Sequence, residues 1–185
     1  METARYTRTA IALHWLIALA VIANVALAWI WPNLPDDDVR PAIDTHKSIG
    51  VAVRGLAAMR LLWRYGHPAP PLPSGYAAWE VRASRVTHGL LYLLIIAMPL
   101  TGWIMDSAWK DAATHPMAWF GLFQWPRIGF IMQLDPAVRE PIHTIFGAVH
   151  VWLSYLLYAL FALHLGGALK HQLLDGEPAL RRMLP

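Results

Sequence analysis

The most constraining feature of this sequence is a long apolar stretch near its end that carries one histidine in each half. It runs from about Thr144 to Lys170 and contains His150 and His164, which are 14 residues apart. In an α-helix this spacing places both side chains on one face, roughly 21 Å apart along the axis. Because the hydrocarbon core of a bilayer is about 30 Å thick, one spanning helix would hold an imidazole in each half of the membrane. Ionisable residues at such depth mark functional sites, and histidines that only hydrogen-bond between helices are the alternative.

Composition supports a membrane protein. Hydrophobic residues make up 57% of the chain and charged residues only 15%, which is more apolar than soluble domains of this size. Ten tryptophans fit the aromatic belts of membrane interfaces. The basic residues lie at the ends of apolar segments and form no continuous stripe, so we expect no nucleic-acid partner. The absence of cysteine excludes disulfides, iron–sulfur clusters, thiolate zinc sites and covalent haem attachment.

Four apolar segments predict an all-α fold, an integral membrane four-helix bundle that forms a single domain over residues 1–185. We place the transmembrane helices at approximately 10–31, 46–64, 85–106 and 144–170. The second segment is the least apolar because it contains Arg54 and Arg60, which are costly in lipid but acceptable inside a bundle. A cleaved signal peptide is the alternative for the first segment, although its apolar run is long for one.

The distribution of basic residues predicts the orientation of the bundle. Four spans place both termini on the same side, and lysine and arginine are enriched on the cytoplasmic side. The side of the termini carries nine such residues and the opposite loops carry five, together with eight acidic residues. Both termini are therefore expected in the cytoplasm, with a net acidic outer surface. The basic residues on the side of the termini are Arg5, Arg8, Arg60, Arg64, Arg82, Arg85, Lys170, Arg181 and Arg182.

This topology sorts the intramembrane histidines into two layers. His46 and His150 fall near the outer side, whereas His14 and His164 fall near the cytoplasm, with His88 close to them. Paired imidazoles at two depths suit the iron of two non-covalent b-type haems, because bis-histidine ligation leaves no open coordination site and favours electron transfer. A bare metal ion suits these layers less well, since neither layer offers a carboxylate.

Two further features of the predicted bundle are Arg54 in the second span and an apolar stretch in the loop after the third span. Arg54 has no acidic partner within the predicted spans, so a carboxylate of a cofactor, such as a haem propionate, is one candidate partner; snorkelling to the interface is the other. The long loop after the third span contains an apolar stretch, Met117 to Trp125, that is too short to cross the membrane. We expect this stretch to lie on the membrane surface or to cap the bundle.

An ordered set of motifs resembles the bacterial cytochrome b561 family, which comprises four-helix dihaem membrane proteins of the respiratory chain. The resemblance covers nearly the whole chain. It rests on HW at His14, HKSIG at His46, RLLWR at Arg60, HGLLYLL at His88, GLF in the outer loop, HVWLSY at His150 and LHLGGALKHQLLDGEPALRRM from Leu163.

The resemblance implies a multi-pass protein of the bacterial inner membrane with two haem b groups. It assigns His14 and His164 to the iron of the cytoplasmic haem and His46 and His150 to the iron of the periplasmic haem, in agreement with the depth argument. It places His88 near the inner haem, where a haem propionate or a quinone is its expected partner. It also implies ubiquinone as the electron acceptor.

Several functions are consistent with these features. The first is a carrier that moves electrons between a periplasmic donor, a small molecule or a protein, and the quinone pool. The second is an enzyme, a superoxide oxidase that acts as a superoxide:ubiquinone oxidoreductase. The net acidic outer loops speak against electrostatic attraction of superoxide, although Lys47 beside His46 supplies a local positive charge. The others are the cytochrome b subunit of a larger dehydrogenase or hydrogenase complex, and a cofactor-free scaffold.

Overall fold

Long helices make up most of the protein. The computed structural model describes residues 5–73 and 75–184. Its elements, in order, are α1 (Arg8–Ile30), a 3₁₀ turn (Trp31–Asn33), α2 (Asp36–Gly66), α3 (Ala78–Ala108), β1 (Ala118–Trp119), β2 (Phe123–Gln124), α4 (Gly129–Met132) and α5 (Pro136–Leu173). The single domain predicted over residues 1–185 includes residues 1–4, 74 and 185, which lie outside the described part.

Three of the long helices, α2, α3 and α5, begin seven to ten residues before the apolar segments that predicted them. The carboxylate of Asp135 accepts a hydrogen bond of 2.8 Å from the backbone N–H of Ala137, and Pro136 occupies the first helical position of α5. Both are favourable at a helix start. In α3, the carboxylate of Glu80 accepts from the N–H of Ala77 at 2.9 Å. Hydropathy does not detect such polar caps, so the apolar segments predict later starts for these helices.

Within residues 5–73 and 75–184, three helical segments are long and apolar enough to cross a membrane. They are Arg8–Asn33, which combines α1 with the 3₁₀ turn, Ala78–Ala108 and Pro136–Leu173. Many of their large apolar side chains face outward, as lipid contact requires; Trp152 is 71% exposed. Helix α2 does not belong to this group among the described residues. The crossing predicted at 46–64 stays a prediction.

The long helices form two closely packed pairs with a gap between them. Helix α1 packs along α2, α3 packs along α5, and α2 also contacts α3. Within the part of the chain that is described, neither α1 nor α2 packs closely along α5. At mid-depth this gap is filled by a buried cluster of Leu94, Leu157 and Leu160, against which Val21 and Val25 of α1 pack. We call the side of this cluster that carries His14 and His164 the inner compartment, and the side that carries His46 and His150 the outer compartment.

The apolar stretch of the outer loop forms a β-hairpin that packs against α2. Its β-hairpin is fixed to α2 by Ser48, which is 1% exposed. The Ser48 hydroxyl accepts a hydrogen bond of 3.0 Å from the N–H of Phe120, and the Trp119 indole donates to the Ser48 carbonyl at 3.1 Å. Phe120 has a positive φ of 47°, which the tight turn between the strands requires. The hairpin therefore packs against α2 next to the level of His46.

Candidate functional site

The outer compartment contains the imidazoles of His46 and His150. Their ring centres are 6.2 Å apart, and the ring planes form an angle of 67°. Helix α2 supplies His46 and α5 supplies His150, so the two rings face each other across the gap between the helix pairs. The structure therefore brings together the two histidines that the depth argument placed in the outer layer.

Hydrogen bonds at Nδ1 orient both outer rings. Nδ1 of His46 donates to the carbonyl of Asn24 at 3.1 Å. The hydroxyl of Thr101 donates its hydrogen to the carbonyl of Met98 at 2.8 Å and lies 3.0 Å from Nδ1 of His150, so the imidazole must donate in the second contact. In both rings the proton is thus on Nδ1, and Nε2 keeps its lone pair, as metal ligation requires.

Gly102 of α3 lies beside the ring of His150. A Cβ atom on Gly102 would lie 3.4 Å from Cε1 of this ring, at the lower limit of ordinary van der Waals contact. Thr101 therefore orients the imidazole, and Gly102 leaves space beside it.

The inner compartment contains a matching pair and one additional imidazole. The ring centres of His14 on α1 and His164 on α5 are 6.2 Å apart with an angle of 72°. His88 on α3 lies nearer, with its ring centre 5.1 Å from that of His164 in an edge-to-face contact. The inner pair thus has the same ring separation as the outer pair, whereas the pair formed with His88 is shorter.

These separations suit two axial ligands of one iron. Two metal–imidazole bonds of about 2 Å each, with the two ring radii added, would hold ring centres roughly 6 Å apart. The pairs at 6.2 Å meet this requirement, while the 5.1 Å contact of His88 is direct ring packing. At the inner level, the cavity lined by His14 and His164 offers the space that a flat macrocycle needs. The donor set and its spacing therefore fit bis-histidine haem at both levels.

His88 is oriented through its own helix. Its Nδ1 donates to the carbonyl of Ser84 at 2.7 Å, so the proton is on Nδ1. Nε2 is left as a hydrogen-bond acceptor in the neutral ring.

The inner compartment is a cavity of about 680 Å³, within the size range of small-molecule and cofactor sites. It is lined by His14, His88 and His164, and by Arg60, whose guanidinium donates to the carbonyl of Ala10 at 2.5 Å and to the Tyr92 hydroxyl at 3.0 Å. A cation therefore lies beside the inner imidazoles.

The segment after α5 folds back over this cavity. Arg182 is 5% exposed and donates to the carbonyls of Pro70 and Pro71 at 2.9 and 2.8 Å. The indole of Trp15, the neighbour of His14, donates to the carbonyl of Met183 at 2.6 Å. Residues 179–183 thereby close the end of the cavity that lies near Trp15 and the linker prolines.

A charged cluster occupies the mouth of the cavity. The Lys170 ammonium lies between Glu80 at 2.5 Å and Asp175 at 2.8 Å, and Nδ1 of His171 is 2.7 Å from Asp175. The hydrogen bond from Lys170 holds the pKa of Asp175 below its usual range. Glu80, His171 and Asp175 are close enough together to hold a metal ion, but the Lys170 ammonium already forms ion pairs with both carboxylates.

Arg54 lies against aromatic rings. Its guanidinium carbon is 4.9 Å from the ring centre of Trp103 and 5.6 Å from that of Trp125, a cation–π arrangement. No carboxylate within residues 5–73 or 75–184 forms an ion pair with it. The buried indole N–H of Trp125 also has no hydrogen-bond partner there.

Lys47 is part of a buried ion-pair network. Its ammonium lies 2.6 Å from Asp106, whose second carboxylate oxygen is 2.8 Å from Nε of Arg127. Asp44 lies 3.8 Å from Lys47 and 3.1 Å from Arg40. The charge of Lys47 is therefore shared with two carboxylates, and its predicted role in outer-face electrostatics stays a prediction.

Sequence reasoning missed several residues of this site. Thr101, Gly102 and Asn24 orient or accommodate the outer histidines, and Asp106 with Arg127 anchors the outer loop. Only Asp106 gave a signal, as the single acidic residue at the end of a predicted span. The others are small or polar residues of kinds common in membrane helices, so nothing in the sequence distinguished them.

Comparison with known proteins shows the same similarity along the whole chain. A family model described as prokaryotic cytochrome b561 matches residues 5–185. Cytochrome b561 homolog 2 of Escherichia coli (strain K12) is 34% identical, with 97% of this chain and 91% of that protein covered. Cytochrome b561 homolog 1 of the same organism is 26% identical, with 98% and 97% covered. A protein of Yersinia pestis named probable superoxide oxidase CybB is also 26% identical, with 98% and 96% covered.

Removal of the Thr101 hydroxyl should weaken the outer site selectively. Thr101→Val keeps the side-chain shape but removes the acceptor for Nδ1 of His150, and changes of this kind typically reduce metal affinity about 10–100-fold. We expect haem occupancy to fall at the outer pair and to persist at the inner pair, measured by pyridine haemochrome and redox-difference spectra. Thr144→Val, an exposed threonine on α5, is the control. Equal loss at both pairs would contradict the assignment.

Proposed function

The chain belongs to the prokaryotic cytochrome b561 family of haem-binding electron-transfer membrane proteins, and we propose that it carries electrons between a periplasmic donor and ubiquinone through two haem b groups. The observation that carries this proposal is the repetition of one geometry. Two histidine pairs at different depths have ring centres 6.2 Å apart, and each pair faces across the same gap. Two histidines that only formed packing contacts would have no reason to repeat this separation.

In the proposed arrangement His14 and His164 would hold the iron of the inner haem, and His46 and His150 would hold that of the outer haem. The haem iron supplies a one-electron redox centre when bound. The protein would contribute four imidazoles, and in the outer pair the Nδ1 hydrogen bonds leave Nε2 free to bind the metal. It also contributes the leucine cluster of Leu94, Leu157 and Leu160, which excludes water between the two levels.

We assign His88 to the quinone rather than to a haem propionate. Because Nδ1 donates to the Ser84 carbonyl, neutral His88 presents only an acceptor nitrogen to the inner cavity. An acceptor suits the hydroxyl of a quinol and does not suit a carboxylate, which offers no hydrogen. His88 lines the same cavity of about 680 Å³ as His14 and His164, so a quinone bound at His88 would lie beside the inner haem.

We assign Arg54 to a propionate of the outer haem. The indole rings of Trp103 and Trp125 cover its faces, while none of the described carboxylates neutralises it. A propionate would supply the missing anion, and the unpartnered N–H of Trp125 would supply a second donor. The anion would thus stabilise two groups whose bonding is otherwise incomplete.

The proposed topology has four crossings of the bacterial inner membrane, both termini in the cytoplasm and one domain over the whole chain. Helix α2 is the crossing that hydropathy alone does not support. Its arginines have partners within the bundle, since Arg60 bonds to Ala10 and Tyr92 and Arg54 stacks on indoles. Such contacts lower the cost of placing arginine at membrane depth.

Single histidine substitutions should remove haems in pairs. His46→Ala and His150→Ala should each halve the haem content by emptying the outer site, and His14→Ala and His164→Ala should do the same at the inner site. His88→Ala should keep both haems. The measurement is haem per chain by pyridine haemochrome, with reduced-minus-oxidised spectra to identify the remaining haem. Loss of a haem in His88→Ala, or colourless wild-type protein from haem-replete cells, would refute the proposal.

Cysteine labelling tests the crossing of α2, since the chain has no native cysteine. Tyr65→Cys replaces a residue that is 94% exposed after the proposed crossing, and Lys110→Cys lies in the outer loop. A membrane-impermeant maleimide should label Lys110→Cys in intact cells and Tyr65→Cys only after lysis. If α2 does not cross, the two labelling patterns will be exchanged, because α3 would then run in the opposite direction.

Superoxide oxidation is a second candidate, favoured by the charge at the outer site. The ion-pair network beside His46 contains three cations, Arg40, Lys47 and Arg127, but only two carboxylates, Asp44 and Asp106. The site is therefore locally positive although the outer loops are net acidic. In this reaction two superoxide anions each lose one electron to form dioxygen, and the quinone takes up two electrons and two protons. The relative named probable superoxide oxidase agrees with this candidate.

Quinol formation from superoxide would separate the two candidates. We expect the superoxide oxidase to form quinol at a rate that superoxide dismutase abolishes and that falls as ionic strength rises. Lys47→Gln should lower this rate several-fold, whereas the control Lys110→Gln, which removes a cation with a 75% exposed side chain, should not. If quinol does not form, or if superoxide dismutase does not affect its formation, superoxide is not the donor. The protein would then be an electron carrier that uses another donor.

A further inference from the structure

A buried carboxylate connects the outer loop to two helices of the outer site. Asp106, at the end of α3, has a side chain that is only 6% exposed. One of its oxygens lies 2.6 Å from the ammonium of Lys47 on α2, and the other lies 2.8 Å from Nε of Arg127 in the loop. Arg127 is itself 5% exposed and also bonds to the carbonyl of Ala112. This triad is therefore largely removed from solvent.

The triad is connected to both outer histidines. Lys47 directly follows His46 on α2, so its ion pair with Asp106 fixes α2 against α3 at that level. About one turn before Asp106, Thr101 and Gly102 of α3 contact His150. The end of α3 thus holds one histidine through its neighbour and the other through a direct hydrogen bond.

We propose that Asp106 is a positioning residue of the outer histidine pair and that its buried charge lowers the reduction potential of the haem assigned there. This inference rests on the proposed function. A buried charge is screened only weakly, and nearby charge is one of the levers by which a protein sets haem potential. Reduction adds an electron to the site, so a fixed negative charge nearby opposes it.

The charges of the triad give predictions of opposite sign. Asp106→Asn leaves Lys47 and Arg127 without a shared anion, so the outer haem should become easier to reduce. Lys47→Gln removes a cation and should make it harder to reduce. The double variant, Lys47→Gln with Asp106→Asn, should return toward the wild-type value. A salt bridge with only a structural role would not produce shifts that follow the sign of the charge removed.

The test is a spectroscopic redox titration of the purified two-haem protein. The outer haem is identified by its absence from the titration of His46→Ala. For Asp106→Asn we expect an increase of about tenfold in the equilibrium constant for outer-haem reduction, which is about 59 mV for one electron. The inner haem should not shift, because its ligand on α5 lies roughly 21 Å along the helix from the outer one. Asp111→Asn, which removes an exposed carboxylate of the same loop paired with Lys110, is the control.

The outcomes distinguish this inference from the proposed function. Wild-type protein without two haems would refute the proposed function itself. Two haems, with an outer potential that is unchanged in Asp106→Asn or that shifts equally at both haems, would overturn only the role of Asp106. If Asp106→Asn does not fold, Lys47→Gln decides the question: a lowered outer potential supports the inference and an unchanged or raised one overturns it. Asp106→Glu should restore the wild-type potential.

Discussion

An imidazole inside a bilayer has no water to bond, and this constraint governs the arrangement of the helices. His46, His88 and His150 each donate Nδ1–H to a group supplied by the protein. Nε2 of each ring then keeps its lone pair, which needs a hydrogen-bond donor or a metal ion as its partner. The helices accommodate this by packing closely in two pairs while α5 stays apart from α1 and α2. The Nε2 atoms that lack a partner therefore lie in this gap, and the leucine cluster separates its inner and outer compartments.

The pairing of the histidines could be predicted from the sequence because the depth of a residue in the membrane depends only on its position in a helix and on the direction of that helix. Residue spacing along a helix and the alternating direction of successive spans place His14 level with His164 and His46 level with His150, and the rings do lie together in these pairs. The family and the helical membrane character could also be predicted from the sequence. Helix α2 was harder, because hydropathy counts Arg54 and Arg60 as costs whether or not the bundle supplies partners for them.

Contacts between distant segments could not be predicted in the same way. Lys47 had been considered as an isolated cation beside His46, but it binds Asp106, which is remote in sequence and also binds Arg127. The hydroxyl of Thr101 and the buried Ser48 contact were likewise invisible, since serine and threonine are frequent in membrane helices for general packing reasons. Periodicity and charge counts describe one segment at a time, whereas these contacts depend on how the loop returns to the bundle.

Because residues 179–183 close the inner cavity, this cavity can be covered only late in the synthesis of the chain. These residues follow every histidine-bearing helix in the chain, so they leave the ribosome after all four proposed axial ligands and His88 have been synthesised. Until they dock on Trp15 and on the carbonyls of Pro70 and Pro71, the inner compartment lacks this cover. The nascent protein therefore has an interval in which its inner histidines are all present and the cavity is still open at this end to a freely diffusing prosthetic group.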